Sequence, residues 1–282
     1  MDKDTPTVTT LVLLGTGTPN ADPDRCGPAA AVVVDGVPYL VDCGPGVVRR
    51  AAAAYERGVP GLKVEGLDRV YLTHLHSDHT LGLPDLILSP WVLEREQPLH
   101  VYGPVGTQAM VEHILAAYEP DIRARTDGPE PANQTGWQAA AHEIEPGTIY
   151  RDGQVTVHAF AVDHGPMPAF GYRFNTPDRT IVFSGDTTPT ETIVEQAEGC
   201  DVLVHEVYST VGLQSRPPEW QCYHCAVHTS ARELGELAAR IQPGLLVLTH
   251  QLLWGVSEQD LLNEISGMYD GEIWFGRDLD VI

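Results

Sequence analysis

Four short apolar segments of this chain each run straight into a histidine or an aspartate. Val70–Thr73 leads into His74, Ala161–Asp163 into His164, Val182–Gly185 into Asp186 and Val247–Thr249 into His250. A strand that stops on such a side chain presents it at a sheet edge, where residues distant in sequence converge without distorting the strands. Further strands are read at Val8–Leu14, Leu99–Tyr102, Val155–Val162, Phe170–Phe174, Thr180–Phe183, Asp201–Val204 and Glu272–Phe275, with a hairpin from Ala29–Asp35 to Val37–Asp42. Helical stretches lie at Val47–Arg57, Gly106–Tyr118, Thr190–Glu198, Thr229–Ile241 and Glu258–Met268, and Ala124–Thr135 is the most loop-like segment. The alternation predicts an α/β fold. With no repeat and no linker, a single domain over residues 1–282 is expected.

Charge narrows the partners. Seventeen Lys and Arg against 39 Asp and Glu give −22, and the only lysines are Lys3 and Lys63. Nucleic-acid binders carry a basic face and membrane-surface proteins a basic stripe, so neither partner is expected. No apolar run approaches the roughly 18 residues of a membrane-spanning helix. Met1–Pro6 lacks the basic start and apolar core of a signal peptide, and five cysteines are not a secreted disulfide framework. A soluble, cytoplasmic protein is expected.

The densest chemistry is His74-Leu75-His76-Ser77-Asp78-His79, four candidate ligands in six residues. Histidines at i and i+2 of an extended segment face the same side, and Asp78 with His79 lies beyond the turn, placed for a second ion. Imidazole with a minority of carboxylate suits zinc, and manganese or iron also fit. The competing reading is a surface His-rich turn that binds nothing, which the density of ligands disfavours.

These residues resemble the HxHxDH signature of the metallo-β-lactamase fold. Leu14-Gly15-Thr16-Gly17-Thr18-Pro19, Arg25-Cys26-Gly27-Pro28-Ala29, Asp42-Cys43-Gly44, Gly171-Tyr172-Arg173, Phe183-Ser184-Gly185-Asp186, His205-Glu206, His228-Thr229-Ser230 and Leu248-Thr249-His250 are similar, in order, to the ribonuclease Z branch of that superfamily. The resemblance implies a four-layer αββα sandwich with a dinuclear metal site at one edge of the two sheets. It implies two zinc ions, one held by His74, His76 and His164, the other by Asp78, His79 and His250, with Asp186 between them. A hydroxide bridging the ions would attack an anionic ester. The matching Glu206 and His228 would pass a proton to the leaving oxygen, consistent with a carboxylate orienting an imidazole as general acid. The bland alternative makes His228 a cap of the helix that follows it. Catalytic roles are therefore expected of Asp78, Glu206 and His228. The family also implies a homodimer.

Departures from the family bear on the substrate. Ribonucleases Z that mature tRNA carry a long arm, in bacterial forms after the tyrosine-containing strand, whereas here Phe170–Phe174 passes through Asn175–Asp178 directly into the next strand. His205-Glu206-Val207-Tyr208 stands for HEAT, and Gln251-Leu252-Leu253-Trp254 follows His250 in place of a serine–arginine–tyrosine run. The leading expectation is hydrolysis of a small phosphodiester. Aryl sulfatase or lactonase chemistry comes next and tRNA 3′-processing after it. A redox di-iron role and a non-catalytic scaffold are set aside. Met167, Tyr208, Trp220 and Trp254 are candidates for an apolar wall beside the metals. His205 is a candidate outer contact. Cys222-Tyr223-His224-Cys225, with no second cysteine pair, is read as packing and loop shaping. His100, His113, His142 and His158 fit no motif.

Overall fold

The computed structural model describes residues 8–282, so the reading of Met1–Pro6 lies outside the described residues. They form two compact units. One contains the chain up to Gly15, Ala21–Ile144 and Asp278–Ile282; the other contains Thr16–Asn20 and Glu145–Arg277.

The first unit is a six-stranded sheet in the order β1 (Thr9–Gly15), β2 (Ala29–Val34), β3 (Val37–Val41), β4 (Arg69–Tyr71), β5 (Leu99–Gly103), β6 (Ala139–Glu143). The first three strands pair antiparallel and the rest parallel. Parallel neighbours need crossovers. Here these are α1 (Val47–Glu56), α2 (Ser77–Thr80) with α3 (Leu83–Val92), and α4 (Thr107–Ala117) with α5 (Glu119–Thr126). Helix α3 escapes the sequence reading because it contains Pro84 and Pro90. Pro84 sits in the first turn, where a missing N–H breaks no bond. Leu83, Leu86, Ile87, Pro90 and Trp91 are buried at helical spacing, so packing outweighs the penalty of Pro90. Helix α5 takes the first residues of the stretch read as loop.

Two features tie this unit together. Arg95 is buried, and its guanidinium donates to the carbonyls of Leu67, Leu86, Ile87 and Gly136 at 2.7–2.9 Å. Along the free edge of β1, Leu11 and Ile282 exchange backbone hydrogen bonds at 2.9 Å, and Leu13 exchanges them with Asp280 and Leu279. The edge is thus paired instead of open.

The second unit is a seven-stranded sheet in the order β13, β12, β11, β10, β9, β8, β7. Strands β7 (Gly147–Arg151), β8 (Thr156–His164), β9 (Met167–Asn175) and β10 (Thr180–Phe183) form an antiparallel meander. Strands β11 (Val202–Tyr208), β12 (Leu245–Leu252) and β13 (Ile273–Phe275) extend it in parallel. The helices are α6 (Glu191–Ala197), α7 (Thr210–Leu213), α8 (Pro218–Val227), α9 (Ala231–Ile241) and α10 (Glu258–Ser266). Ile193, Leu237, Ile241 and Leu261 from the helices pack with Leu203, Leu246 and Leu248 of the sheet. Helix α9 starts on a capping box, the Ser230 hydroxyl accepting from Glu233 N–H while the Glu233 carboxylate accepts from Ser230 N–H. Strands β8 and β9 continue to a two-residue turn at Gly165-Pro166, in a region the sequence leaves as a loop. Strands β9 and β10 join through the short turn Thr176–Arg179, closed by Thr176 N–H to the Arg179 carbonyl at 2.9 Å.

Candidate metal centre

In the first unit the chain leaves β4 and turns through His74 and His76 into α2, which carries Asp78 and His79. His74, Asp78 and His79 are buried and His76 half-buried. The structure brings these four side chains together. His74 Nε2 lies 3.0 Å from His76 Nδ1, the His74 and His79 ring centres are 4.1 Å apart, and His79 Nε2 is 3.5 Å from Asp78 Oδ2.

What aims them is Asp42, at the end of β3 with φ +58°. Its carboxylate accepts from Thr73 N–H at 2.7 Å, from the Thr73 hydroxyl at 2.9 Å and from His79 Nδ1–H at 2.8 Å. The Thr73 oxygen in turn accepts from His74 Nδ1–H at 3.0 Å. These bonds place the protons on Nδ1 and leave both Nε2 atoms as lone-pair donors, the arrangement a metal-binding histidine uses. The backbone clamps the turn as well. Cys43 N–H donates to the His79 carbonyl, and a Cβ on Gly44 would lie 2.5 Å from the Asp78 carbonyl oxygen, so only glycine fits there.

In the second unit His164 ends β8 directly opposite Met167, and its Nδ1–H donates to the Val227 carbonyl at 2.7 Å, leaving Nε2 as the lone-pair nitrogen. Burial pushes the His164 pKa down, outweighing the pull of Asp186 in the other direction. His250 does not end its strand; β12 runs through it. The register with β11 slips between Glu206 and Val207, leaving His250 as the extra residue of a bulge at φ +45°. A bulge turns one side chain away from the pleat, and here His250 Nε2 is 3.5 Å from Asp186 Oδ2. His164, Asp186 and His228 offer three ligand atoms within 4.8 Å of one another, and Glu206, His228 and His250 do the same. Every donor in these clusters is nitrogen or oxygen, and a divalent cation of borderline or hard character suits such a set.

Glu206, fully buried in β11, forms a further constellation. Its Oε1 accepts from Thr187 N–H at 3.1 Å, Thr229 N–H at 3.2 Å and His228 Nδ1–H at 3.0 Å. Asp186 Oδ2 lies 3.9 Å from the same His228 nitrogen. Glu206 Oε2 is buried with no hydrogen-bond partner among the described residues. A carboxylate anchored by two backbone amides holds the imidazole in one tautomer and stabilises its cationic form.

The Beta-lactamase superfamily domain profile matches residues 38–251. The chain belongs to that superfamily. A ribonuclease Z of Mycobacterium marinum is 36% identical to it over 282 residues, covering 95% of this chain and 96% of the relative. Its fold is shared with a metallo-β-lactamase fold protein of Bacillus subtilis, at TM-score 0.75 and 19% identity over 99% and 100% of the two chains. The short form of human tRNase Z superposes at TM-score 0.73, with 22% identity over 97% and 98%. The expected fold class and the ribonuclease Z-like branch therefore stand. The chain is a hydrolase of the metallo-β-lactamase fold, a fold that implies metal ions.

The structure also places the remaining side chains singled out in the sequence. His228 does not cap α9, since Ser230 does; it follows α8 and serves Glu206. Cys222 and Cys225 shape no loop: both lie exposed on α8, whose buried residues are His224 and Val227, and Cys225 Sγ is 3.5 Å from the Tyr208 hydroxyl. His205 is fully buried, its Nδ1–H donating to the Glu206 carbonyl, and burial lowers its pKa. The Trp254 and Tyr208 rings are tilted at 46° with centres 5.9 Å apart, and Trp220 stands half-exposed on α8. His100 and His142 form a surface pair with ring nitrogens 3.0 Å apart. Asp42 and Thr73 were missed as orienting residues. Their signal was present in sequence, an aspartate closing a strand before Cys-Gly and a threonine immediately before the first ligand.

Proposed function

We propose that the chain hydrolyses phosphodiesters, with His74, His76, Asp78, His79, His164, Asp186 and His250 as ligands of two divalent cations, zinc first. When bound, such ions supply a Lewis acid for the phosphoryl oxygens and an activated water at neutral pH. The chain's own part in the reaction is proton delivery. The carrying observation is the buried Glu206–His228 pair, 3.0 Å apart. Departure of an alkoxide needs an acid, and an imidazole held by a fixed carboxylate provides one. Asp42 and Thr73 hold the histidine tautomers, and Asp78 completes the ligand set as the carboxylate after the turn.

The favoured substrate is a small anionic diester. The turn at Thr176–Arg179 stands where the tRNA-gripping arm of bacterial enzymes is inserted, and a net charge of −22 opposes the counterion release that drives RNA binding. A second reading, 3′-end processing of precursor tRNA, is favoured by the mycobacterial relative named ribonuclease Z. Sulfate esters and lactones are the remaining substrates for the same chemistry.

Zinc- or manganese-loaded protein should turn over bis(p-nitrophenyl) phosphate, and Asp78→Ala should abolish that activity. A precursor tRNA assayed in parallel separates the two readings. Cleavage of the RNA at rates far above the small diester overturns the small-substrate reading. Absence of turnover with both, in protein carrying two metals, overturns phosphodiester hydrolysis altogether.

A further inference from the structure

Helix α8 carries a feature that the hydrolytic chemistry does not use. Trp220, His224 and His228 follow at spacings of four residues, and their rings form a continuous stack. Trp220 to His224 is 5.9 Å at 28°, and His224 to His228 is 5.4 Å at 29°. The stack continues to His250 at 5.6 Å and 25°. Trp254 flanks its middle, 4.7 Å from His224. The inner rings are buried, whereas Trp220 is 46% exposed and Tyr223, 5.8 Å from it and nearly perpendicular, is 43% exposed.

Residues on successive helical turns align in this way only if their side chains share one face. Solvent-exposed Trp and Tyr together, on the outer end of such a row, form a rigid apolar corner with little entropy to lose on binding. His228, the proposed proton donor, is third in the row, between His224 and His250. Trp220 lies two ring spacings from His228, but Tyr223 of the same corner has its ring centre only 6.4 Å from His228, so a ring seated against Tyr223 and Trp220 is within reach of an arm of the reacting diester. His224, buried between Trp220 and His228, backs the indole from beneath and keeps it in place.

We propose that Trp220 and Tyr223 form a stacking platform for a planar ring of the substrate, making Trp220 a specificity-determining residue for ring-bearing phosphodiesters. Stacking against an aromatic side chain is sequence-tolerant and needs no basic surface, which accords with the acidic chain. This inference rests on the phosphodiesterase reading above.

The test uses three p-nitrophenyl diesters that share a leaving group and differ only in the retained arm, which is methyl, phenyl or thymidine 5′. Metal-loaded wild-type protein should prefer the ring-bearing arms over methyl by about tenfold in kcat/KM. Trp220→Ala should erase that preference through KM, and Trp220→Phe should restore most of it. A thymidine rate well above phenyl identifies a nucleobase as the ring; equal rates identify a general aryl platform. Equal wild-type rates on all three arms overturn the platform. If no diester is turned over, the hydrolytic reading fails instead, and calorimetry then decides the platform alone. Thymidine 5′-monophosphate should bind wild type about tenfold more tightly than Trp220→Ala, and equal affinities overturn it.

Discussion

Asp42 Oδ2 lies 2.8 Å from His79 Nδ1 and also accepts from the hydroxyl of Thr73. One carboxylate oxygen thus sets the orientation of His79 directly and of His74 through a hydroxyl relay. Asp42→Asn keeps the volume and tolerates the positive φ, but offers an amide where two donors already point. Metal affinity should fall about 10- to 100-fold. Competition against a chelator, read by metal content, checks this, and unchanged affinity would exclude an orienting role.

Glu206→Gln tests proton delivery. The amide oxygen can still accept from Thr187, Thr229 and His228, so the fold should persist, while the charge that stabilises imidazolium is gone. We expect kcat to fall roughly a hundredfold with little change in KM. The alkaline limb of the pH–kcat profile, where a general acid loses its proton, should move to lower pH in steady-state kinetics, because the carboxylate that holds the imidazolium is gone. A variant with wild-type kcat would assign the pair a structural role.

The stability of the metal-free protein should depend on pH through its buried histidines. Burial, with repulsion from His228 and Arg216, lowers His224 from 6.5 to about 4. Between these values the unfolded chain binds a proton that the folded chain refuses, so the contribution is full above pH 6.5 and lost as pH falls toward 4. His164 acts in the same direction. Thermal unfolding between pH 7 and roughly pH 4 should show a falling Tm, and the slope should flatten in His224→Phe.

Arg95→Met should be the most damaging substitution outside the metal clusters. Methionine fills the space but leaves the carbonyls of Leu67, Leu86, Ile87 and Gly136 without the donors they now share. Buried orphans of this kind cost about 1–3 kcal/mol each before relaxation, so a loss of roughly 3–5 kcal/mol is expected. Urea denaturation monitored on this variant gives the value; a loss below about 1 kcal/mol would show that the carbonyls find other partners.

The ligands were legible in sequence for a physical reason. His74, His76, Asp78 and His79 crowd into six residues where no core would tolerate them unpaired. His164 and Asp186 follow clean apolar strands. Glu206 and His250 were placed just past strand ends, yet both lie inside strands, because a polar residue interrupts the apolar pattern that sequence reading follows. The bulge at His250 left no mark in residue type. Helix α3 was hidden by its two prolines and α8 by its mixed, half-exposed composition. Asp42 was visible only as a motif letter, since its role depends on two bonds to residues about thirty positions away.

The strip of backbone that seals β1 has a consequence for how the chain matures on the ribosome. The partners of Leu11 and Leu13 are residues 279–282, so the first sheet must wait, with one side unsealed, through synthesis of all the intervening sequence. During that interval β1 exposes a strand edge of the kind that recruits foreign strands. Removing those few residues should therefore impair the yield of folded protein out of proportion to the surface they bury, an effect that would arise during synthesis and leave the chemistry of the metal ligands untouched.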